Sequence, residues 1–342
     1  MSEHTNNKNG TVVARTPESF RWLAVVTAAT TYALIVLGGV VRVTESGDAC
    51  PDWPRCKGEL LPPLESGVLI EFSHRLLASV VGLLVLVTAV YAWRRMRHLP
   101  LVRWGAALAV LLVGGQIILG GLTVLNDLPP SMVTAHLALA SALLATLAVV
   151  ALAAFDLWPR AQIQDRKIAT SFRNLAVVAA LATLGLMLTG SYVTGAGAGL
   201  AFPDWPLFDG RLLPEGGRLT MIHALHRVSA AAVGVLLIYV AVRAWRTQRW
   251  HPAVLFGTFL ALALYAVEVL VGAANIWTLL QPAASGAHLA LASALWVTLT
   301  AVAALSHWAT QPLAQYDEGS QPQQALPLKE TATGSLPAGR PS

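Results

Sequence analysis

Charge is scarce in this 342-residue chain: Asp, Glu, Lys and Arg together make up 12% of it. Soluble domains carry roughly 25%, so a water-facing surface around the whole molecule is excluded. Cysteine is scarcer still, with two residues, which excludes a disulfide scaffold and a Cys-rich metal site. The formal net charge is +5. Its basic residues stand in short clusters beside apolar runs, which marks membrane orientation and not a phosphate-binding face, so no nucleic acid is expected. What is abundant is apolar: 55% of residues are hydrophobic, with a mean hydropathy of +0.60.

Runs long enough to cross a bilayer, about 20 residues each, fall near 22–41, 70–93, 104–125, 132–155, 175–193, 222–242, 253–277 and 285–307. The first run exceeds the 7–15 residues or so of a secretory h-region, so a retained helix is expected and no cleaved signal. Alternate loops are basic, with Arg94, Arg95, Arg97 and Arg103, then Arg160, Arg166, Lys167 and Arg173, then Arg243, Arg246 and Arg249. Segment Asn126–Ser131 has no Lys or Arg, and the loops 42–69 and 194–218 mix both signs. The positive-inside rule places the basic loops and both termini in the cytoplasm of a cell-membrane protein, and the long mixed loops outside.

The two halves align without a gap. His74 and His226 lie 152 residues apart, as do His136 and His288. The same shift superimposes Pro51-Asp52-Trp53-Pro54 on Pro203-Asp204-Trp205-Pro206, Arg75 on Arg227, Gly82 on Gly234, Trp93 on Trp245 and Gly120 on Gly272. His136–Leu143 and His288–Leu295 are the same octapeptide, HLALASAL. An offset of four helices inserts both copies the same way up. The expected fold is therefore an all-α integral membrane protein, with eight transmembrane helices in two pseudo-symmetric four-helix bundles. Its expected parts are a cytoplasmic segment over 1–20, a first bundle over 21–156 and a cytoplasmic linker over 157–174. A second bundle over 175–308 and a disordered cytoplasmic tail over 309–342, rich in Pro, Gln, Gly and Ser, complete it.

Ligand-capable side chains within a membrane are costly and point to function. His74 and His136 each open a span entered from the outer side, and His226 and His288 repeat them. Two imidazoles at equal depth on facing helices can ligate a haem iron from both faces. The small residues Ala138, Ala140, Ser141 and Ala142, with their mates Ala290, Ala292, Ser293 and Ala294, leave room for a flat macrocycle or for close helix packing. Zinc is disfavoured, since two His without a third donor make a poor zinc site. Arg75 and Arg227 either pair with haem propionates or snorkel to headgroups; both readings stay open.

The copies differ in a few places. Glu71 stands about one turn before His74, where the second copy has His223 before His226. The carboxylate either moves protons beside a haem or pairs with a basic neighbour. Cys50 and Cys56 in the first outer loop face Phe202 and Phe208 in the second. A structural disulfide is the default there, and exchange with a thiol partner the alternative. Gln116 and Glu268 are repeat mates to which the residues assign no role. The half with Glu71 and the cysteines is the better candidate for a working site, and the other for a fixed cofactor site.

Over residues 20–308 the chain resembles the haem A synthase family. Glu71-Phe72-Ser73-His74-Arg75 is similar to that family's E-x-x-H-R motif, and the other three histidines, Gly38-Gly39-Val40-Val41-Arg42 and the paired PDWP loops also match. The resemblance implies oxidation of the C8 methyl of haem O to a formyl group, giving haem A for terminal oxidases. It implies that His226 and His288 hold a haem b cofactor near the outer face and that His74 and His136 bind the substrate haem. Glu71 would be the catalytic carboxylate, and Cys50 with Cys56 the outer-loop pair. An electron donor and a haem O synthase partner are also implied; a homo-oligomer stays open. The rivals are a di-haem electron-transfer cytochrome and a parallel-repeat transporter without cofactor.

Overall fold

A computed structural model describes residues 16–59, 63–155 and 166–310. Residues 1–15, 156–165 and 311–342 of the expected cytoplasmic segment, linker and tail lie outside them. Among the described residues the chain forms eight helices: α1 (Glu18–Val43), α2 (Ser66–Arg95), α3 (Pro100–Leu125), α4 (Pro130–Ala154), α5 (Arg166–Gly195), α6 (Arg218–Thr247), α7 (Pro252–Trp277) and α8 (Pro282–Ala309). All eight are long and apolar enough to span a membrane, and the chain is a multi-pass, all-α membrane protein. A 26-residue helix such as α1 is about 39 Å long at 1.5 Å per residue. That exceeds the ~30 Å hydrocarbon layer, so the helices run past the apolar stretches that announce them.

The boundary that moves furthest is the start of α5. The expected linker reaches residue 174, yet the helix begins at Arg166. Segment 166–174 is polar but holds no Pro or Gly to stop a helix, and Phe172 within it is fully buried.

Helix ends follow local chemistry. Pro100, Pro130, Pro252 and Pro282 open α3, α4, α7 and α8, where the missing N–H costs nothing. The far ends of α1, α3, α5 and α7 close with six-residue backbone bonds: Ser46 N to Val41 O, Leu128 N to Thr123 O, Ala198 N to Val193 O and Leu280 N to Asn275 O. Each requires a left-handed residue just past the helix. Gly197 adopts it at φ +68° without penalty, while its repeat mate Glu45 takes the same region at φ 52°.

Helices α1 to α4 contact one another in a closed ring (α1–α2, α2–α3, α3–α4, α1–α4), and α5 to α8 do the same. The rings meet through α1, α4, α5 and α8. Hydrogen bonds tie them: Tyr32 Oη donates to Ala290 O at 3.0 Å, the buried Trp296 Nε1 donates to Ser141 O at 3.0 Å, and the Thr134 and Ser191 hydroxyls lie 3.2 Å apart. The core at this seam combines Leu144, Phe172, Leu295 and Leu299 with alanines such as Ala151, Ala176 and Ala179. Small residues let the backbones approach, which is how helices associate where lipid removes the hydrophobic drive. Outward positions are apolar too, with Leu111 at 72% and Phe256 at 70% exposed. Water would penalise that surface; acyl chains accept it.

Candidate functional site

Each of the four histidines is half-buried and rests on a glycine of the preceding helix. A Cβ built on Gly38 of α1 would lie 3.1 Å from His74 Nε2, and one on Gly120 of α3 would lie 2.9 Å from His136 Cε1. In the second half, a Cβ on Gly190 of α5 would lie 2.9 Å from His226 Cε1, and one on Gly272 of α7 would lie 3.0 Å from His288 Cε1. Carbon contacts are comfortable at about 3.5–4.0 Å, so any larger residue would displace the imidazole. The glycines are 152 apart in the chain, as the histidines are. Gly120 and Gly272 stand out in the sequence as register markers, and Gly38 as part of a motif. Their role as cradles depends on helix rotation, which only the structure supplies.

His226 and His288 face each other, with ring centroids 6.5 Å apart and planes at 86°. Two metal–nitrogen bonds of about 2 Å, with each ring centre about 1 Å beyond its nitrogen, give ~6 Å for a bis-imidazole metal. The ring nitrogens are sorted to match. The Thr189 hydroxyl donates to Leu186 O at 2.8 Å and lies 3.0 Å from His226 Nδ1. With that proton on Leu186 O, the Thr189 oxygen accepts from Nδ1–H, the tautomer that leaves the His226 Nε2 lone pair for a ligand. Glu268 Oε1 lies 3.0 Å from His288 Nδ1. That is an ion-pair distance and not a hydrogen bond: His288 Nδ1 is buried without one, as is Glu268 Oε2. A carboxylate there still favours the proton on Nδ1. Both rings thus present Nε2, and this donor set fits a haem iron.

His74 and His136 are close enough to interact electrostatically, but their surroundings differ. His136 Nδ1 is buried without a hydrogen bond among the described residues, and so is Gln116 Oε1. Among the described residues no group of three or more His, Cys, Asp or Glu side chains converges in metal-holding geometry; the donors come in pairs.

Glu71 is buried on α2 at 5% exposure, and Arg75 Nε donates to its Oε1 at 2.8 Å. The rest of that guanidinium closes the preceding loop. Arg75 Nη1 donates to Asp52 O at 2.8 Å and Arg55 O at 2.7 Å, and Nη2 donates to Cys50 O at 2.7 Å. Four of its five donors are therefore spent within the protein. Arg227 does the equivalent work through Asp204 O and Leu207 O, both at 2.7 Å, and its Nε donates to His223 Nε2 at 3.2 Å. His223 stands where the first half has Glu71.

The loops themselves are turned by aspartate. Asp52 accepts the backbone N–H of Lys57 at 2.6 Å and of Gly58 at 2.8 Å; Asp204 accepts those of Asp209 and Gly210, both at 2.8 Å. The Gly58 N–H, then those of Lys57 and Asp52 itself and the charge of Arg75, hold the Asp52 carboxyl below its ordinary value. The Gly210 amide leads the same effect at Asp204. Cys50 and Cys56 form a disulfide with Cα atoms 4.7 Å apart, buried against Val68 and Phe72. Phe202 and Phe208 replace it in the second loop, with ring centroids 5.1 Å apart and the Arg227 guanidinium over both rings at 5.4 and 5.6 Å. Both the bond and the aromatic pair join the ends of the same turn.

Residues 21–67 and 64–300 match the family described as cytochrome oxidase assembly protein. Among curated relatives, the heme A synthase of Shouchella clausii (strain KSM-K16) is 28% identical over 283 residues, covering 81% of this chain and 93% of that protein. The heme A synthase of Halalkalibacterium halodurans is 26% identical over 271 residues, covering 78% and 90%. That of Bacillus cereus (strain 03BB102) is 26% identical over 290 residues, covering 82% and 90%.

Proposed function

From the premise that the chain belongs to the haem A synthase family of cytochrome oxidase assembly proteins, and is an oxidoreductase, we propose that it converts haem O to haem A by oxidising the C8 methyl group to a formyl group. The observation that carries this is the unequal furnishing of two otherwise matched histidine pairs. One pair has the Thr189 hydroxyl 3.0 Å from His226 Nδ1 and the Glu268 carboxylate 3.0 Å from His288 Nδ1. The other has a buried carboxylate, Glu71, one turn from its first histidine, and the uncharged Gln116 where the second half has Glu268. A cytochrome that only passes electrons has no need for that inequality.

In this reading His226 and His288 hold haem b through Nε2, and His74 and His136 hold the substrate haem. The bound haem supplies one-electron redox chemistry that side chains lack. Glu71 takes up protons at the substrate site. Arg75 holds one of its oxygens and so orients the other, and the same guanidinium ties that carboxylate to the disulfide loop. The arginines are assigned to closing the loops, in preference to haem propionates. The glycines under each imidazole set its depth and rotation, which positions the reacting edge of the macrocycle.

The basic residues Arg94, Arg95, Arg243 and Arg246 lie at the ends of α2 and α6 remote from the histidines. The positive-inside rule then supports cytoplasmic termini and haem sites near the outer face of the cell membrane, with two four-helix bundles side by side. Haem O synthase and an electron donor are the expected partners. The test is the optical spectrum and haem content of purified protein. His226→Ala and His288→Ala each abolish the resident haem b signal, whereas His74→Ala leaves it. A colourless wild-type protein, or equal loss from all three variants, overturns the assignment.

A further inference from the structure

We propose that Glu268 and Thr189 make the C-terminal pair a site that retains its haem, and that their absence from the equivalent places in the first half makes that site one that releases it. This rests on the assignment of the resident haem to His226 and His288. It concerns positioning residues that touch the imidazoles and not the macrocycle.

The repeat provides the comparison. Glu268 sits on α7 at 8% exposure, with Oε1 3.0 Å from His288 Nδ1. The residue 152 positions earlier is the uncharged Gln116 on α3; His136 Nδ1 and His288 Nδ1 both lack a hydrogen bond among the described residues, so what sets the second half apart here is the carboxylate 3.0 Å from its histidine. Thr189 on α5 lies 3.0 Å from His226 Nδ1; its mate on α1 is Leu37, which has no polar atom to offer. A glycine under each imidazole is shared by the two halves. Apart from Glu71 and its mate His223, the groups behind the ligands are where the two halves differ.

The chemistry of that difference is general. An acceptor on the far ring nitrogen raises the basicity of the ligating one and locks the ring's orientation. A carboxylate does so most strongly, because it gives the imidazole partial anionic character, which stabilises ferric over ferrous iron. A buried carboxylate in a membrane is expensive unless it has such work. The first half has a neutral amide and a leucine in these places, so its imidazoles bind more weakly and swing more freely. That suits a substrate that must arrive as one haem and leave as another.

The experiment uses the full-length protein in detergent, with two measurements on the resident haem: transfer to excess apomyoglobin and the midpoint potential. Glu268→Gln keeps size and polarity but removes the charge. It is expected to speed haem loss ~10-fold or more and to raise the midpoint. A tenfold loss of ferric preference corresponds to about 59 mV for a one-electron couple. Thr189→Val is expected to act in the same direction by a few-fold. The reciprocal double variant, Leu37→Thr with Gln116→Glu, is expected to make the first half retain haem, so that the purified protein approaches two haems per chain. Unchanged midpoint and loss rate in Glu268→Gln overturn the inference while leaving the resident-haem assignment intact. A wild-type protein without haem overturns the assignment itself. If Glu268→Gln does not fold, Thr189→Val decides: wild-type potential and loss rate there refute the claim.

Discussion

Replacing Gly190 by alanine adds one methyl group and should cost the protein its resident haem. The added Cβ would lie 2.9 Å from His226 Cε1, roughly 0.6 Å inside a comfortable carbon contact. Gly190 is within α5, where the backbone is held by its own hydrogen bonds, so the imidazole has to move. Metal ligation tolerates about 0.2 Å of error in bond length. A displacement of about half an ångström therefore exceeds what a bis-histidine iron accepts. Disturbing the support that orients a ligand is on the order of a 10–100-fold drop in affinity, or roughly 1.4–2.8 kcal/mol. The assay is haem content per chain after purification, with the low-spin optical signature of bis-histidine iron as the second readout. Melting of the helical signal, followed by circular dichroism, should stay near wild type, because the clash is with one ring and not with a core layer. Gly190→Ala protein carrying a full complement of low-spin haem refutes the cradle argument. The matched variant Gly38→Ala should leave the resident haem in place and lower haem A output, since its Cβ meets His74 instead.

Two further outcomes follow from the loops. Arg75→Leu removes the only described partner of the buried Glu71 carboxylate and three carbonyl contacts at once; it should lower stability by about 3 kcal/mol or more, read as a fall in melting temperature, and depress haem A formation. The lowered pKa of Asp52 and Asp204 means that their contribution to loop order is present at neutral pH and lost only as pH falls below the ordinary carboxylate value of 3.8. Protection of the Lys57, Gly58, Asp209 and Gly210 amides, taken relative to intrinsic exchange at each pH, should thus be retained at pH 5 and fall below that value; lost protection already at pH 5 contradicts it.

Much of the architecture was legible because a bilayer simplifies the rules. Eight apolar runs and one repeat offset announced eight helices, since each span must satisfy its backbone internally. The start of α5 was not legible: residues 166–174 are polar, and hydropathy is silent about helix outside the hydrocarbon layer. At the site, the histidines and Glu71 stood out as rare residue types in register. The partners of Arg75 did not, because they are backbone carbonyls brought to it by the fold of the 50–59 loop. The sequence marked Gln116 and Glu268 as unequal mates without a use for either. The use appears only when α7 packs on α8 and sets Glu268 3.0 Å from His288. Thr189 escaped notice for a similar reason, since a threonine facing a neighbouring helix looks like any other until the ring opposite is known.

The central claim is that one histidine pair keeps a haem while the other, with Glu71, transforms one. The most direct measurement is chromatography of the haems extracted from purified Glu71→Ala protein and from membranes that depend on it for haem A. The claim requires haem b at the wild-type ratio in the purified protein, with haem A absent and haem O accumulating in the membranes. Normal haem A from Glu71→Ala, or loss of haem b along with it, contradicts the division of labour between the two pairs.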